Sequence, residues 1–182
     1  EGKGAMAAIL GLSDSEVVNI CHDLQTNGVV EAVNFNSPGQ VVVAGDKIAI
    51  EASLEVFKSA GAKRAIILPV SVPSHCSLMK SAANEFGEFL KPIDFRNPKF
   101  PVIQNYEAIA YDNVDKIKEG LFYQMFNPVK WTQSIEFISV NKIDTYLEIG
   151  PGKVLTSLGR RINKDLDFVS IDSIDSLDYL NK

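Results

Sequence analysis

Short apolar stretches and segments with helical spacing of apolar residues alternate through the first 70 residues. The apolar stretches predict four strands, at Met6–Leu10, Val29–Phe35, Gln40–Ala44 and Ala65–Val70. The turn between the second and third strands is predicted at Asn36–Gly39, where Pro and Gly interrupt the apolar pattern.

Two helices are predicted between these strands. The first begins with a capping box of Ser13 and Glu16, carries apolar residues from Val17 to Leu24, and ends at Asn27-Gly28. Asp46 is expected to cap the second helix, which ends near Gly61. The resulting order, βαββαβ, is the split ferredoxin-like arrangement.

The pattern changes after residue 70, where helices alternate with short, strongly apolar strands. Predicted helices cover Leu78–Leu90, Val114–Met125, Trp131–Val140 and Val154–Asn163, and predicted strands cover Pro101–Gln104, Thr145–Ile149 and Phe168–Ile171. This alternation favours parallel βα units, with Thr145–Ile149 as a buried strand. We therefore predict an α/β protein with two domains, 1–70 and 71–182, of which the second has too few strands to be complete by itself.

Composition narrows the class of protein. The chain has 182 residues, of which 46% are apolar and 23% charged, so a packed core is expected. A net charge of −5 argues against a nucleic-acid binder. Two cysteines and two histidines provide neither a disulfide framework nor an expected metal site. The low cysteine count makes a cytoplasmic protein the expectation, and the apolar runs are too short to cross a membrane.

His75 is the leading candidate for chemistry. It follows Pro73-Ser74 at the end of an apolar stretch, where an imidazole could act as a general base or could simply be a polar residue before a helix. Cys76 is not expected to be a nucleophile, and no Gly-x-Ser-x-Gly elbow occurs in the chain. The sequence therefore offers a base without an evident nucleophile.

Two further features lie near the end of the chain. Gly150–Lys153 separates a predicted strand from a predicted helix, and it is either a tight turn or a loop that presents backbone N–H groups to an anion. Arg160 and Arg161 end the following helix, where they suit the negative end of the helix dipole or an acidic partner.

Four segments in this order and spacing resemble the malonyl-CoA:acyl carrier protein transacylases of fatty acid synthesis. They are VNFNSPGQVV at 33–42, PVSVPSHC at 69–76, NPVKW at 127–131 and EIGPGKVL at 148–155. The resemblance covers nearly the whole chain. It implies a ferredoxin-like small domain inserted in an α/β-hydrolase-like large domain.

The resemblance also implies a ping-pong acyl transfer. An elbow serine takes malonyl from malonyl-CoA and passes it to the phosphopantetheine thiol of acyl carrier protein, with no bound cofactor or metal. His75 matches the catalytic histidine, and a backbone carbonyl, expected at Gln124, orients its ring. Asn36 and Ser74 are expected to line the acyl pocket, and Arg160 and Arg161 to contact the carrier protein.

The chain departs from that family in one respect. The elbow serine and the arginine that binds the malonyl carboxylate precede the small domain in the family, and neither motif is found here. We therefore expect this to be the carboxyl-terminal portion of a transacylase, inactive without its amino-terminal half. The alternatives are an acyltransferase domain of a polyketide synthase and a non-catalytic module that binds acyl carrier protein.

Overall fold

The computed structural model describes residues 2–25 and 28–181, which form two compact units. One unit ends at Ser134 and the other begins at Ile135. The predicted boundary near residue 70 coincides with the end of a sheet rather than with this division, and it stays a prediction. No helix within the described ranges combines the length and the apolar character needed to cross a bilayer.

A four-stranded antiparallel sheet with two helices forms the start of the first unit. Its elements are β1 (Gly4–Leu10), α1 (Asp14–Leu24), β2 (Val30–Ser37), β3 (Gln40–Asp46), α2 (Lys47–Ser59) and β4 (Arg64–Ile67). The strand order across the sheet is β2-β3-β1-β4. The predicted order of elements along the chain is confirmed, although β4 ends three residues earlier than predicted.

The two helices begin in different ways. The predicted capping box is confirmed for α1, because the Ser13 side chain accepts the Glu16 N–H while Glu16 accepts the Ser13 N–H. Asp46 precedes α2 but does not cap it. Its carboxylate accepts the Val29 N–H at 2.8 Å instead, which ties the start of β2 to the end of β3. The predicted end of α1 was Asn27-Gly28, and Asn27 lies outside the described residues.

The strands of this sheet contribute buried apolar side chains to a cluster on each face. One face packs under α1 and α2, in a core whose largest fully buried side chain is Phe57. The other face contributes residues from three strands to a smaller cluster around Cys76, namely Met6, Val33, Val42 and Ala44. Because strand side chains alternate between faces, continuous apolar runs supply both clusters. The second cluster holds the residue that follows His75.

The rest of the first unit follows a loop after β4. It contains a 3₁₀ turn at Ser77–Met79, α3 (Lys80–Leu90), β5 (Val102–Gln104), β6 (Ile109–Tyr111), α4 (Val114–Tyr123) and the start of α5 (Trp131–Val140). β5 pairs antiparallel with β6 in a hairpin, so the prediction of a parallel βα strand there is wrong. Helix α4 also ends two residues before its predicted limit, which leaves Gln124 as its C-cap.

The second unit is built on two parallel strands joined by a helix. They are β7 (Thr145–Ile149), α6 (Val154–Ile162) and β8 (Asp167–Ile171), as the βα pattern predicts. The Phe168 ring stacks on the Tyr146 ring and lies against Gly159, where a Cβ would overlap it. The prediction that β7 is buried is wrong for the described residues. Ile149 is 75% exposed, although β8 pairs with β7 and α6 packs against it.

Both cysteines lie in the clusters of the first sheet, and this predicts their reactivity. Burial, together with the charge of Glu31, raises the pKa of Cys21 to about 12 and that of Cys76 to about 11. A raised pKa lowers the thiolate fraction at pH 8, and the thiolate is the reactive form. Labelling of Cys76 with a disulfide reagent at pH 8 should therefore be about 100-fold slower in the native chain than in the urea-unfolded chain, and labelling of Cys21 slower still. Equal labelling rates for native and unfolded Cys76 would contradict this.

Candidate active site around His75

A short loop after β4 holds His75 in a left-handed backbone conformation. Its φ is 66°, which costs a residue with a Cβ about 1 kcal/mol or more unless neighbouring contacts fix it. Those contacts are present on both sides. The Ser74 N–H donates to the Val72 carbonyl at 2.9 Å, and the buried Cys76 thiol donates to the Pro73 carbonyl at 3.1 Å.

Two contacts with the sheet fix this loop from outside. The Glu31 carboxylate on β2 accepts both the N–H and the hydroxyl of Ser77, at 2.9 and 2.5 Å. On β1, Gly4 lies directly under Pro73, and a Cβ at Gly4 would overlap the proline ring. His75 is therefore carried by a loop anchored at both ends rather than by a free turn.

The His75 ring has a defined tautomer. Nδ1 lies 2.6 Å from the Gln124 carbonyl oxygen, and the His75 N–H donates to the Met125 carbonyl at 3.2 Å. A carbonyl can only accept, so the neutral ring carries its hydrogen on Nδ1 and its lone pair on Nε2. Within residues 2–25 and 28–181, no hydrogen-bond partner meets Nε2. The nitrogen that can accept a proton is the one left open.

The carbonyl that holds the ring lies at a helix end. Gln124 is the C-cap of α4, and its N–H donates to the backbone carbonyls of Gly120 and Phe122. Carbonyls in the last turn of a helix bear the negative end of the helix dipole, equivalent to about half an elementary charge. The carbonyl that orients the ring therefore belongs to a helix C-terminus, and no carboxylate hydrogen-bonds to His75 among the described residues.

The other predicted pocket residues, Asn36 and Ser74, make no hydrogen bond to the ring among the described residues. Asn36 is the penultimate residue of β2. This strand pairs with the segment after α4, because the Val129 N–H donates to the Val33 carbonyl at 2.8 Å and the Val129 carbonyl accepts the Phe35 N–H at 2.9 Å. Ser74 directly precedes His75. The role of Asn36 and Ser74 in binding an acyl group stays a prediction.

Asn105, which the sequence analysis did not single out, also lies beside Gln124. The Asn105 amide nitrogen donates to the Gln124 side-chain oxygen at 3.0 Å. Its position just after the β5 stretch was the only signal in the sequence. An asparagine at a strand end is normally explained by turn formation, so that signal pointed to no partner.

In the second unit, the turn at Gly150–Lys153 does not offer an open anion site. The Glu148 carboxylate accepts the N–H groups of Leu155 and Thr156, at 3.0 and 2.7 Å. Burial raises the pKa of Glu148, but these hydrogen bonds outweigh it and the net pKa is lowered. A carboxylate therefore occupies the first turn of α6, as a tight strand-to-helix connection requires.

The predicted docking residues lie at the other end of α6. Arg160 and Arg161 are both exposed, and the Arg160 guanidinium donates to the Phe168 carbonyl at 2.9 Å. This contact holds Arg160 against β8. The basic residues still present positive charge to solvent at the end of the helix.

Three comparisons relate the chain to known proteins. No protein-family model matches it. The chain is 49% identical over 162 residues to the malonyl CoA-acyl carrier protein transacylase of Escherichia coli K12, and 43% identical over 182 residues to that of Haemophilus influenzae. These matches cover 89% and 100% of this chain but 52% and 58% of the relatives.

Solved structures agree. An acyl carrier protein S-malonyltransferase from Vibrio cholerae superposes with a TM-score of 0.95 at 48% identity, covering 98% of this chain and 58% of that one. A malonyl-transacylase in complex with its type II PKS acyl-carrier protein gives 0.96 at 43% identity, covering 100% and 60%.

The chain thus spans little more than half the length of the curated relatives it matches. The mixed α/β structure matches transacylase structures, and the similarity extends over the whole chain. Over its whole length the chain is therefore similar to malonyl CoA-acyl carrier protein transacylases, and the similarity spans somewhat more than half of each relative.

Proposed function

We propose that this chain provides the catalytic base of a malonyl-CoA:acyl carrier protein transacylase. The observation that carries the proposal is the His75 ring, fixed by the Gln124 carbonyl through Nδ1 and open at Nε2. The homology supplies the reaction, transfer of malonyl between two thiols. The serine nucleophile and the arginine for the malonyl carboxylate would come from the portion that this chain does not contain.

In this mechanism Nε2 of His75 moves one proton in each direction. It takes the proton of the serine hydroxyl while that oxygen bonds to the thioester carbon. As the carbon–sulfur bond breaks, the imidazolium returns the proton to the leaving thiolate of coenzyme A. The thiol of acyl carrier protein then reverses these steps. The Gln124 carbonyl stabilises the imidazolium in both half-reactions.

The same proposal extends to the architecture. The antiparallel order β2-β3-β1-β4 with two helices on one face supports a ferredoxin-like small domain over residues 1–70. The parallel pair β7 and β8 supports the end of an α/β-hydrolase-like sheet. The exposed apolar side chains of β7, Leu147 and Ile149, agree with a sheet that the remaining portion would extend and cover.

A hybrid protein tests the role of His75. The part of the Haemophilus influenzae relative that this chain does not match is joined before Glu1, and malonyl transfer from malonyl-CoA to acyl carrier protein is measured. His75→Ala should lower kcat at least 100-fold, because a positioned general base contributes about 10²- to 10⁴-fold. His22→Ala, at a side chain 83% exposed, should leave it unchanged.

Two results would overturn this assignment. One is an active hybrid in which His75→Ala retains full activity. The other is a malonyl adduct on the 182-residue chain alone, detected by intact mass after incubation with malonyl-CoA. The proposal predicts no such adduct, because the chain has no serine elbow to accept the acyl group.

The partner proposed for this chain is acyl carrier protein, with Arg160 and Arg161 as part of the docking surface. One solved relative is a malonyl-transacylase bound to its acyl-carrier protein. The phosphopantetheine arm that the resemblance implies for such a partner carries a negatively charged phosphate. An exposed basic helix end fits such a partner through long-range attraction. This binding could persist without catalysis, which keeps a docking module as the second candidate.

Charge reversal tests the docking surface. The double variant Arg160→Glu/Arg161→Glu should weaken binding of acyl carrier protein about tenfold at low salt, and salt near 1 M should remove most of the difference. Lys47→Glu/Lys58→Glu, which reverses two charges on α2, serves as the control. Affinity that is unchanged at low salt would exclude this surface.

A further inference from the structure

We propose that Asn105 is a positioning residue for His75, acting through Gln124. The inference rests on the proposed function, because it concerns how the base of that reaction is held. Among the described residues, no hydrogen bond joins Asn105 directly to the His75 ring. Its side-chain amide donates to the Gln124 side-chain oxygen at 3.0 Å, and the Gln124 backbone carbonyl accepts from His75 Nδ1 at 2.6 Å.

Asn105 holds the segment after α4 at two places. Its side chain binds Gln124, at the start of the segment, and its backbone carbonyl accepts the Lys130 N–H at 2.8 Å, at the end. Between these points Met125 accepts the His75 N–H. The segment that contacts His75 twice is therefore bracketed by one residue from a different element.

The hairpin of β5 and β6 brings Asn105 to this position. Gln104, its neighbour, is a buried polar residue whose side chain packs against Gly120 on α4. A Cβ at Gly120 would overlap that side chain, so the glycine permits the close approach of strand and helix. The Tyr106 and Tyr123 rings stack with centroids 5.5 Å apart and fix the same junction.

The bond matters because Gln124 lies where helical hydrogen bonding ends. Its N–H is held by α4, but its carbonyl lies past the last full turn, where helix ends fray most readily. Anchoring the side chain adds a second fixed point to the residue that bears this carbonyl. Without it, the carbonyl can turn away from Nδ1, and the ring can then exchange its two tautomers or rotate.

The two histidines of the chain allow a direct test by NMR. In the ¹⁵N-labelled 182-residue chain, at a pH at which the imidazole rings are neutral, His75 should show a single tautomer with a protonated Nδ1 and an unprotonated Nε2. Asn105→Leu should shift both nitrogen signals towards the average of two tautomers. The exposed His22 serves as an internal control. Asn141→Leu, which removes another amide donor, should change nothing at His75.

A second variant separates the bond from the fold. Gln124→Met keeps the backbone carbonyl and removes the side-chain acceptor, so it should reproduce the Asn105→Leu spectrum. The double variant should show no further change, because both substitutions remove the same hydrogen bond. His75 signals like those of the unsubstituted chain in the folded variants would overturn the inference. If Asn105→Leu fails to fold, Gln124→Met decides by the same criterion.

The hybrid protein then measures the catalytic consequence. Asn105→Leu should lower kcat about three- to tenfold with little change in KM, which matches one net hydrogen bond. A kcat equal to that of the unsubstituted hybrid would overturn the inference. The NMR result does not depend on activity, so an inactive unsubstituted hybrid would count against the proposed function and not against the positioning by Asn105.

Discussion

The contact between His75 Nδ1 and the Gln124 carbonyl is the constraint on which the site depends. It decides the tautomer, leaves Nε2 open and places the ring at the negative end of α4. A carboxylate would do the same with more charge, at the cost of burying that charge beside the ring. A carbonyl at a helix end gives orientation and partial charge together, provided that the backbone on both sides is held still.

Much of the first unit provides that rigidity. The sheet packs its helices on one face, and on the other it surrounds Cys76, the residue next to His75. The Glu31 carboxylate binds Ser77 and so ties the loop to β2, while β2 pairs with the segment after α4. The histidine and the carbonyl thus reach each other through a common sheet. The left-handed conformation of His75 is tolerated because these contacts leave its loop few alternatives.

The sequence predicts what depends on local patterns and misses what depends on distant partners. The capping box of Ser13 and Glu16 lies within four residues and is predicted correctly. Asp46 looks like a helix cap but binds the N–H of Val29, 17 positions away, because the strands β2 and β3 bring them together. The contact of Gln124 with His75 was expected only through family resemblance, since the two residues are 49 positions apart. The place of Asn105 just after a predicted strand was its only local signal, and that signal pointed to no partner.

The central claim is that this chain provides His75 as a positioned base for a serine nucleophile that the chain itself does not contain. A crystal structure of the hybrid protein tests this most directly. The account predicts that His75 Nε2 lies within about 3.2 Å of the elbow serine oxygen, with Nδ1 still on the Gln124 carbonyl. A serine placed against another base, or a His75 ring turned away from Gln124 in the active hybrid, would contradict it.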